Sequence, residues 1–230
     1  MSSTRWPTSC SAAAPFKSTI QYARARSREG KFDETTREAW ALALDEWKNK
    51  YGTMRFSTPK GWIMLNATED DLRQLAEEDG VTLMDKKEWQ NRERDLTNYR
   101  YWMTLCEVEQ LPEMVQARRK MYEGRRAWLE LGDAVKANQS LLAGMIEFEA
   151  ILNNFRDGML FKQDEGNEYL EDAVDAVLLF RNINAGRALP EDYPLKAIFT
   201  SDDPKINGIR GEEPPGTVRE GIVHPLVLHG

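Results

Sequence analysis

Histidine is almost absent from this 230-residue chain, and cysteine is equally scarce. Both histidines, His224 and His229, lie near the carboxyl end, so a Ser-His-Asp, Cys-His or His-rich metal site would have to recruit that end. The only cysteines, Cys10 and Cys106, give neither a disulfide framework nor a zinc-ligand spacing. We therefore expect no catalytic residues, no metal and no cofactor. The low cysteine content favours a reducing compartment inside the cell. We expect the cytoplasm, with an organelle as the alternative.

Long apolar runs are missing as well. No segment approaches the roughly 18 apolar residues that would span a bilayer, which excludes an integral membrane protein. Acidic residues are absent from the first 28 positions, which hold five basic ones, and the rest of the chain has 26 basic residues against 38 acidic ones. Because phosphate affinity comes from clustered lysine and arginine, this acidic body argues against a general nucleic-acid-binding function.

Helical periodicity is the strongest positive signal in the chain. Apolar residues recur at steps of three and four over about 34–51, 85–110, 113–131, 134–155 and 167–183. Glycine or proline separates most of these segments, as the preferences of helix ends require. The pattern predicts an all-α fold, either a helical bundle or a short helical stack of five to six helices.

The remaining stretches are less regular. Residues 53–65 combine turn residues with a brief apolar run, which predicts a loop that packs Trp62 or one isolated strand. Thr68 and Asp71 form an approximate capping box for a short helix that ends at Gly80. Six of the ten prolines lie beyond Leu189. We therefore expect three segments: a basic, largely disordered arm at 1–30, a helical domain at 31–188 and an extended Pro/Gly-rich tail at 189–230.

The most regular part of the sequence predicts a helical hairpin over residues 113–155. Gly132 would turn the chain, and Asp133 would cap the second helix. Small residues could sit where the two helices face each other and let their backbones approach closely: Gly124, Ala137, Ala143 and Gly144. The inward positions would be Met114, Ala117, Met121, Gly124, Trp128 and Leu131 on the first helix, and Ala134, Ala137, Leu141, Gly144, Phe148, Ile151 and Phe155 on the second.

Residues 117–152 of this hairpin resemble one degenerate tetratricopeptide repeat. The likeness rests on an ordered series of aromatic, small, turn and small positions: Tyr122, Gly124, Ala127, Trp128, Gly132, Asp133, Ala137, Leu141 and Gly144. The glycine of the first helix is shifted by one place, and the closing proline is absent. The resemblance implies peptide or subunit binding on a helical surface, without catalysis. The alternative is that any tight helical hairpin converges on this pattern.

The first 30 residues contain a short basic amphipathic helix that ends near Gly30. Phe16 and Ile20 would supply its apolar contacts, and Lys17, Arg24 and Arg28 its charge. These features are typical of an organelle transit peptide, and equally of an arm that docks on an acidic partner or an anionic lipid surface. We expect a retained docking arm rather than a cleaved presequence.

A second basic face lies on the first helix of the hairpin. Arg118 and Arg125 are seven residues apart and therefore share a face. That face could be a groove for an acidic peptide or RNA, or a solvated surface paired with neighbouring glutamates. The carboxylates of residues 164–175 lack the spacing of an EF-hand, and we interpret them as acids that favour the positive end of a helix dipole.

Together these features predict a non-enzymatic protein-interaction or scaffold subunit of a larger assembly. It would bind protein partners through its helical surfaces and terminal arms, with candidate contacts at Phe16, Lys17, Ile20, Arg24, Arg28, Arg118 and Arg125. Two alternatives stay open: an RNA-associated protein, and an enzyme whose cleft is lined by scattered Glu, Arg and Tyr. A deep pocket with several buried, mutually bonded ionisable groups would favour the enzyme.

Overall fold

The computed structural model describes residues 12–155, 160, 166–185, 187–202 and 206–208. The stretch before residue 12, with Cys10, lies outside the described residues, as do both histidines and most of the expected carboxyl-terminal tail. The helices are α1 (Ala14–Arg28), α2 (Glu34–Asp45), α3 (Glu69–Asp79), α4 (Leu83–Leu96), α5 (Tyr99–Glu109), α6 (Pro112–Leu129), α7 (Ala134–Asn154), α8 (Asn167–Ile183) and α9 (Lys196–Phe199). A π-helix, Glu46–Tyr51, continues α2.

The all-α prediction is confirmed, although the described residues form nine α-helices rather than the expected five to six, and two details differ. The expected helix at 85–110 is two helices, α4 and α5, because Asn98 adopts a left-handed backbone conformation with φ of 53° between them. Asparagine tolerates this conformation better than most residues. The expected loop or isolated strand is an antiparallel hairpin of β1 (Phe56–Thr58) and β2 (Gly61–Ile63), in which Phe56 pairs with Ile63.

The predicted short helix that ends near Gly30 is present as α1, but it packs in the helical body, so residues 12–30 of the expected arm are not free. Ile20 is 1% exposed, and Ala23 is fully buried in the same core as α2. The backbone carbonyl of Phe16 accepts a hydrogen bond from Trp47 Nε1 at 3.2 Å, and the Phe16 ring lies 5.3 Å from that of Tyr51. The apolar side of the basic helix therefore packs within the chain itself.

The amino-terminal half is centred on aromatic side chains. Trp40, Trp47 and Tyr51 are buried along α2 and the π-helix, as their spacing predicts. The Trp47 ring lies 4.9 Å from that of Tyr51 and 6.0 Å from that of Trp102 on α5. Rings at these centroid distances add attraction beyond the area that they bury. This cluster joins α1, α2 and α5.

Helices α3 and α4 pack with the β-hairpin into a smaller apolar cluster, formed by Ala67, Leu72 and Leu75. The predicted capping box of Thr68 and Asp71 begins α3, and Gly80 ends it in a left-handed conformation. The unexpected feature is Lys86, which is fully buried. Its Nζ donates to the carbonyl oxygens of Lys60 and Trp62, each at 2.8 Å, and forms an ion pair with Asp79 at 2.5 Å.

The predicted hairpin over 113–155 is confirmed as α6 and α7. Gly132 turns the chain with φ of 63°, and the Asp133 side chain accepts a hydrogen bond from the Lys136 backbone amide. A side chain at Gly124 would collide with Leu141, and one at Gly144 would collide with Met121. The two helices therefore approach as closely as their small residues predict. The resemblance to a tetratricopeptide repeat stays a hypothesis.

Two inward assignments in this hairpin need correction. Trp128 packs against the core but is only half-buried, so its loss should cost less than the roughly 3–5 kcal/mol of a fully buried tryptophan. Leu131 is 62% exposed, because α6 ends at Leu129 and the helical spacing no longer sets the direction of later side chains.

The beginning of the expected tail also packs on the body. Leu195 is buried, and its backbone amide donates to the Glu149 carboxylate on α7 at 2.8 Å. Ile198 on α9 and Ile206 are buried in the main core. The expected boundary at residue 188 therefore does not separate this stretch from the helical domain.

Candidate functional site

A cleft of about 400 Å³ opens between α1, α5, α6 and α8. We call it the arginine cleft, because four arginines line it: Arg24 and Arg28 from α1, and Arg118 and Arg125 from α6. These four were predicted as parts of two separate binding surfaces, and the fold brings them to one place. The volume lies within the usual range of sites for small ligands, about 300–1,000 Å³.

The other three predicted contact residues lie elsewhere. Ile20 is in the core and Phe16 packs against Tyr51, so neither offers the apolar contact to a partner that we expected. Lys17 lies over the ring of Trp102, with Nζ 5.8 Å from the ring centroid. The cleft is thus lined by Arg24 and Arg28 of α1, but by none of the apolar side chains of that helix.

Arg24 is held by a network at one side of the cleft. Its Nη2 bonds the Glu168 carboxylate at 2.6 Å and the Tyr101 hydroxyl at 2.7 Å. The Tyr101 hydroxyl in turn donates to Glu168. Burial of the phenol, reinforced by the hydrogen bond to Glu168, raises the pKa of Tyr101 to about 12. The guanidinium of Arg24 also lies 5.4 Å from the centroid of the Trp102 ring. Arg24 is therefore a positioned structural cation.

Replacing Tyr101 with phenylalanine should lower the free energy of unfolding by about 1.5–3 kcal/mol, because a hydrogen bond to a charged group is lost. The pKa of Tyr101 is raised on folding, so its contribution is fully present below the unfolded value of about 10. That contribution is lost as pH rises through about 12. Urea unfolding of both proteins between pH 8 and pH 11.5 should show the difference shrinking above pH 10. A difference that is constant over this range would contradict the assignment.

Arg118 anchors a second network deeper in the cleft. It forms ion pairs with Asp172 at 2.5 Å and with Glu109 at 2.8 Å, and Glu109 is only 6% exposed. Its guanidinium lies 5.3 Å from the Phe148 ring centroid and 5.7 Å from that of Tyr169. Burial lowers the pKa of Arg118, but the charges of Asp172 and Glu109 outweigh it and hold that pKa well above its ordinary value. Arg118, expected to meet a partner, is thus satisfied within the chain.

The remaining two arginines of the cleft, Arg28 and Arg125, are not held by acidic side chains of the described residues. Arg28 and Arg125 are exposed at the cleft, and neither forms an ion pair with any residue in the described part of the chain. The nearby Asp175 also lines the cleft. Desolvation around its carboxyl group raises the pKa of Asp175, and the positive charge of Arg125 opposes that rise. The cleft is therefore lined by two guanidinium groups without an ion pair and by one unpaired carboxyl group.

The acidic side of the cleft was missed from the sequence. Glu168, Asp172 and Asp175 are spaced by four and three on α8, so they share one face, and that face meets the arginines of α1 and α6. From the sequence alone, these carboxylates are interpreted as acids that favour the positive end of a helix dipole. Their helical spacing, which matches the seven-residue spacing of Arg118 and Arg125, is the signal that could have found them.

A larger groove of about 560 Å³ lies at the open end of the α6–α7 hairpin, lined by Leu111, Pro112, Ile151 and Phe155 among others. Its acidic residues are Glu113 and Glu147, and Glu147 is paired with Lys120. Beyond Phe155 the chain continues into residues that the structure does not describe. Eight charged residues line the arginine cleft and could orient a ligand, whereas two line this groove, so the arginine cleft is the better candidate.

No group of three or more His, Cys, Asp or Glu side chains within the described ranges is arranged to hold a metal ion. None of the helices in those ranges is both long enough and apolar enough to cross a membrane. No family model matches the chain, and no match was found among curated proteins or solved structures. The cleft must therefore be interpreted from its own geometry.

Proposed function

We propose that this protein is a non-enzymatic interaction subunit of a larger assembly, and that the arginine cleft receives a carboxylate of a protein partner. The observation that carries the proposal is the pair of exposed arginines, Arg28 and Arg125, which line one cleft without an ion pair in the described chain. Arginine presents a planar fork of donors that matches a carboxylate. Two segments far apart in sequence supply the pair, so the site exists only in the folded chain.

The positions of the paired arginines support this proposal. Arg24 and Arg118 are fixed by Glu168, Asp172 and Glu109, so they define the cleft walls. A ligand would add its bonds to Arg28 and Arg125 without breaking those networks. Because these walls are preformed, binding orders fewer side chains and costs less conformational entropy.

Exposed apolar side chains give further support for an interaction protein. Leu129, Leu131 and Val135 surround the turn between α6 and α7, and each is more than half exposed. Large apolar side chains grouped on a surface are typical of contact regions. The free thiol of Cys106, buried in the core, suits a reducing environment, so we place this interaction inside the cell.

The test is a charge reversal at the two unpaired arginines. Extract from the native source is passed over immobilised wild-type protein, over the double variant Arg28→Glu/Arg125→Glu, and over a control, Arg92→Glu/Arg187→Glu. The control makes the same charge change at exposed arginines that do not line the cleft. We expect a partner that the wild type and the control retain, and that the cleft variant binds at least tenfold more weakly, because like charges across an interface cost several kcal/mol.

The partner is then identified by mass spectrometry, and its affinity is measured with purified proteins. Circular dichroism must show that the cleft variant is folded. Equal retention of every partner by the cleft variant would overturn the proposal. Reversing Lys17, Arg24 and Arg28 together would be a poorer test, because Arg24 is part of an internal network and its loss would disturb the fold.

An enzyme is the second candidate, and the bonded ionisable groups of the cleft are the observation that favours it. Tyr101, Glu168 and Arg24 bond one another, and Glu109 is buried beside Arg118. Such groups cluster at active sites, and they also occur in structural ion networks. Asp175, whose pKa is raised, would be the acid–base group. Chemical change of the bound partner that stops in Asp175→Asn, with binding preserved, would establish the enzyme.

A further inference from the structure

The apolar lining of the arginine cleft limits what it can receive. Met121, Tyr122 and Leu179 are half-buried and line it, together with Leu105 and Leu141, which are buried. The Tyr122 ring is held in place, since it packs against Gly30 and lies 5.6 Å from the Phe32 ring. A ligand that carries only charge would leave this apolar surface uncovered.

The charges of the cleft set a second limit. Four arginines and four acidic residues line it: Arg24, Arg28, Arg118 and Arg125, with Glu109, Glu168, Asp172 and Asp175. Ion pairs engage Arg24 and Arg118 with three of the acids, which leaves Arg28, Arg125 and Asp175 unpaired. Two unpaired cations and one carboxyl group suit one incoming carboxylate. A polyanion such as nucleic acid or a run of acidic residues would place further charges against Glu168, Asp172 and Asp175.

We propose that the arginine cleft selects a single carboxylate carried on a compact apolar body. This inference rests on the function proposed above, and it specifies the chemistry of the bound group. The carboxylate would bind Arg28 and Arg125, and the apolar body would lie against Met121, Tyr122 and Leu179. Two sources could present this chemistry: an acidic side chain flanked by apolar residues in a partner segment, or a free organic acid.

The selectivity can be measured with four small probes in NMR titrations of the full-length wild-type protein. Phenylacetate carries both features, phenylacetamide keeps the shape without the charge, acetate keeps the charge without the ring, and citrate carries several carboxylates. We expect phenylacetate to bind at least about tenfold more tightly than acetate, since burying a ring of this size is worth at least that factor. We expect a similar preference over phenylacetamide, which carries no charge to pair with the two arginines, and over citrate, whose additional carboxylates would meet the acidic residues of the cleft.

Two variants, each with a matched control variant, locate the binding. Arg28→Glu/Arg125→Glu should abolish phenylacetate binding, whereas Arg92→Glu/Arg187→Glu should leave it unchanged. Leu179→Gln should weaken phenylacetate binding severalfold and leave acetate binding unaltered. Leu178→Gln is the matched control, because Leu178 is the neighbouring leucine on α8, is exposed and does not line the cleft.

A blocked peptide with one glutamate between leucine and phenylalanine, and its glutamine counterpart, distinguish the two sources. Tighter binding of the glutamate peptide than of phenylacetate supports a partner segment as the source, and the reverse order supports a free acid. Either order supports the inference, provided that the charge reversal at Arg28 and Arg125 removes binding.

The inference is overturned if phenylacetate binds no better than acetate, phenylacetamide or citrate, or if the charge reversal leaves its affinity unchanged. If the native partner is lost on charge reversal while the four probes bind alike, the interaction function stands and this inference fails. If phenylacetate binds selectively while the cleft variant still retains the partner, the selectivity of the cleft stands and the proposed interaction function fails.

Discussion

Replacing Lys86 with methionine is expected to lower the free energy of unfolding by about 3–5 kcal/mol. Methionine is also long and flexible, but it donates no hydrogen bond. The carbonyl oxygens of Lys60 and Trp62 would lose their bonds to Nζ, and Asp79 would lose its cation. Buried acceptors without donors cost their full desolvation, so the effect exceeds that of one ordinary hydrogen bond. Urea denaturation measures the change.

The neighbouring Lys87 provides the control. Its side chain is 38% exposed, and it pairs with Glu69 on the surface. Such exposed pairs contribute less than about 1 kcal/mol, so Lys87→Met should be close to neutral. Equal destabilisation by the two substitutions would show that Lys86 is not buried in the way described.

The ion pair between Lys86 and Asp79 makes the effect of Lys86→Met on stability depend on pH. The hydrogen bond from Lys86, followed by that from the Trp62 amide, lowers the pKa of Asp79. A carboxyl group with a lowered folded-state pKa stabilises the protein above its unfolded value of about 3.9, and this contribution is lost as pH falls through the folded-state value. The difference between wild type and Lys86→Met should therefore be constant near neutral pH and shrink below about pH 4.

The helices of the fold could be predicted because their signals are local. The spacing of Trp40, Trp47 and Tyr51 and the cap at Asp133 each depend on a few neighbouring residues. The interruption at Asn98 was missed because nothing in the periodicity around it changes. The burial of α1 was missed because its basic stripe suggested a free amphipathic helix. In the structure, long-range packing decides where its apolar side lies.

The candidate site likewise combines residues that the sequence indicates locally with an arrangement that only long-range packing sets. Arg24, Arg28, Arg118 and Arg125 could be selected singly from the sequence, but their meeting depends on how α1 packs against α6. The role of the acids on α8 depends on the same long-range geometry, since a carboxylate at a helix start has a sufficient local explanation. Which arginines are already paired, and which are left for a ligand, follows only from side-chain contacts across helices.

Substitution of Gly144 tests the close approach of α6 and α7, on which the position of the cleft depends. A Cβ atom at this position would lie 2.7 Å from Met121 Cγ, 2.8 Å from the Met121 backbone nitrogen and 3.0 Å from the Ala117 carbonyl oxygen. Two of these three atoms belong to the backbone and cannot move aside as a side chain can. Gly144→Leu should therefore cost about 3 kcal/mol or more, at the upper end of overpacking effects.

Two further variants separate this collision from other causes. Gly144→Ala introduces the colliding Cβ atom alone, so it should also destabilise the protein, although alanine favours a helix over glycine by roughly 1 kcal/mol. Ala150→Leu adds similar bulk at an exposed position of α7 and should be nearly neutral. For Gly144→Leu we expect a fall in Tm of roughly 6–12 °C by calorimetry. Because Met121 also lines the arginine cleft, that variant should in addition weaken phenylacetate binding. An unchanged Tm in both Gly144 variants would mean that α6 and α7 do not meet at this residue.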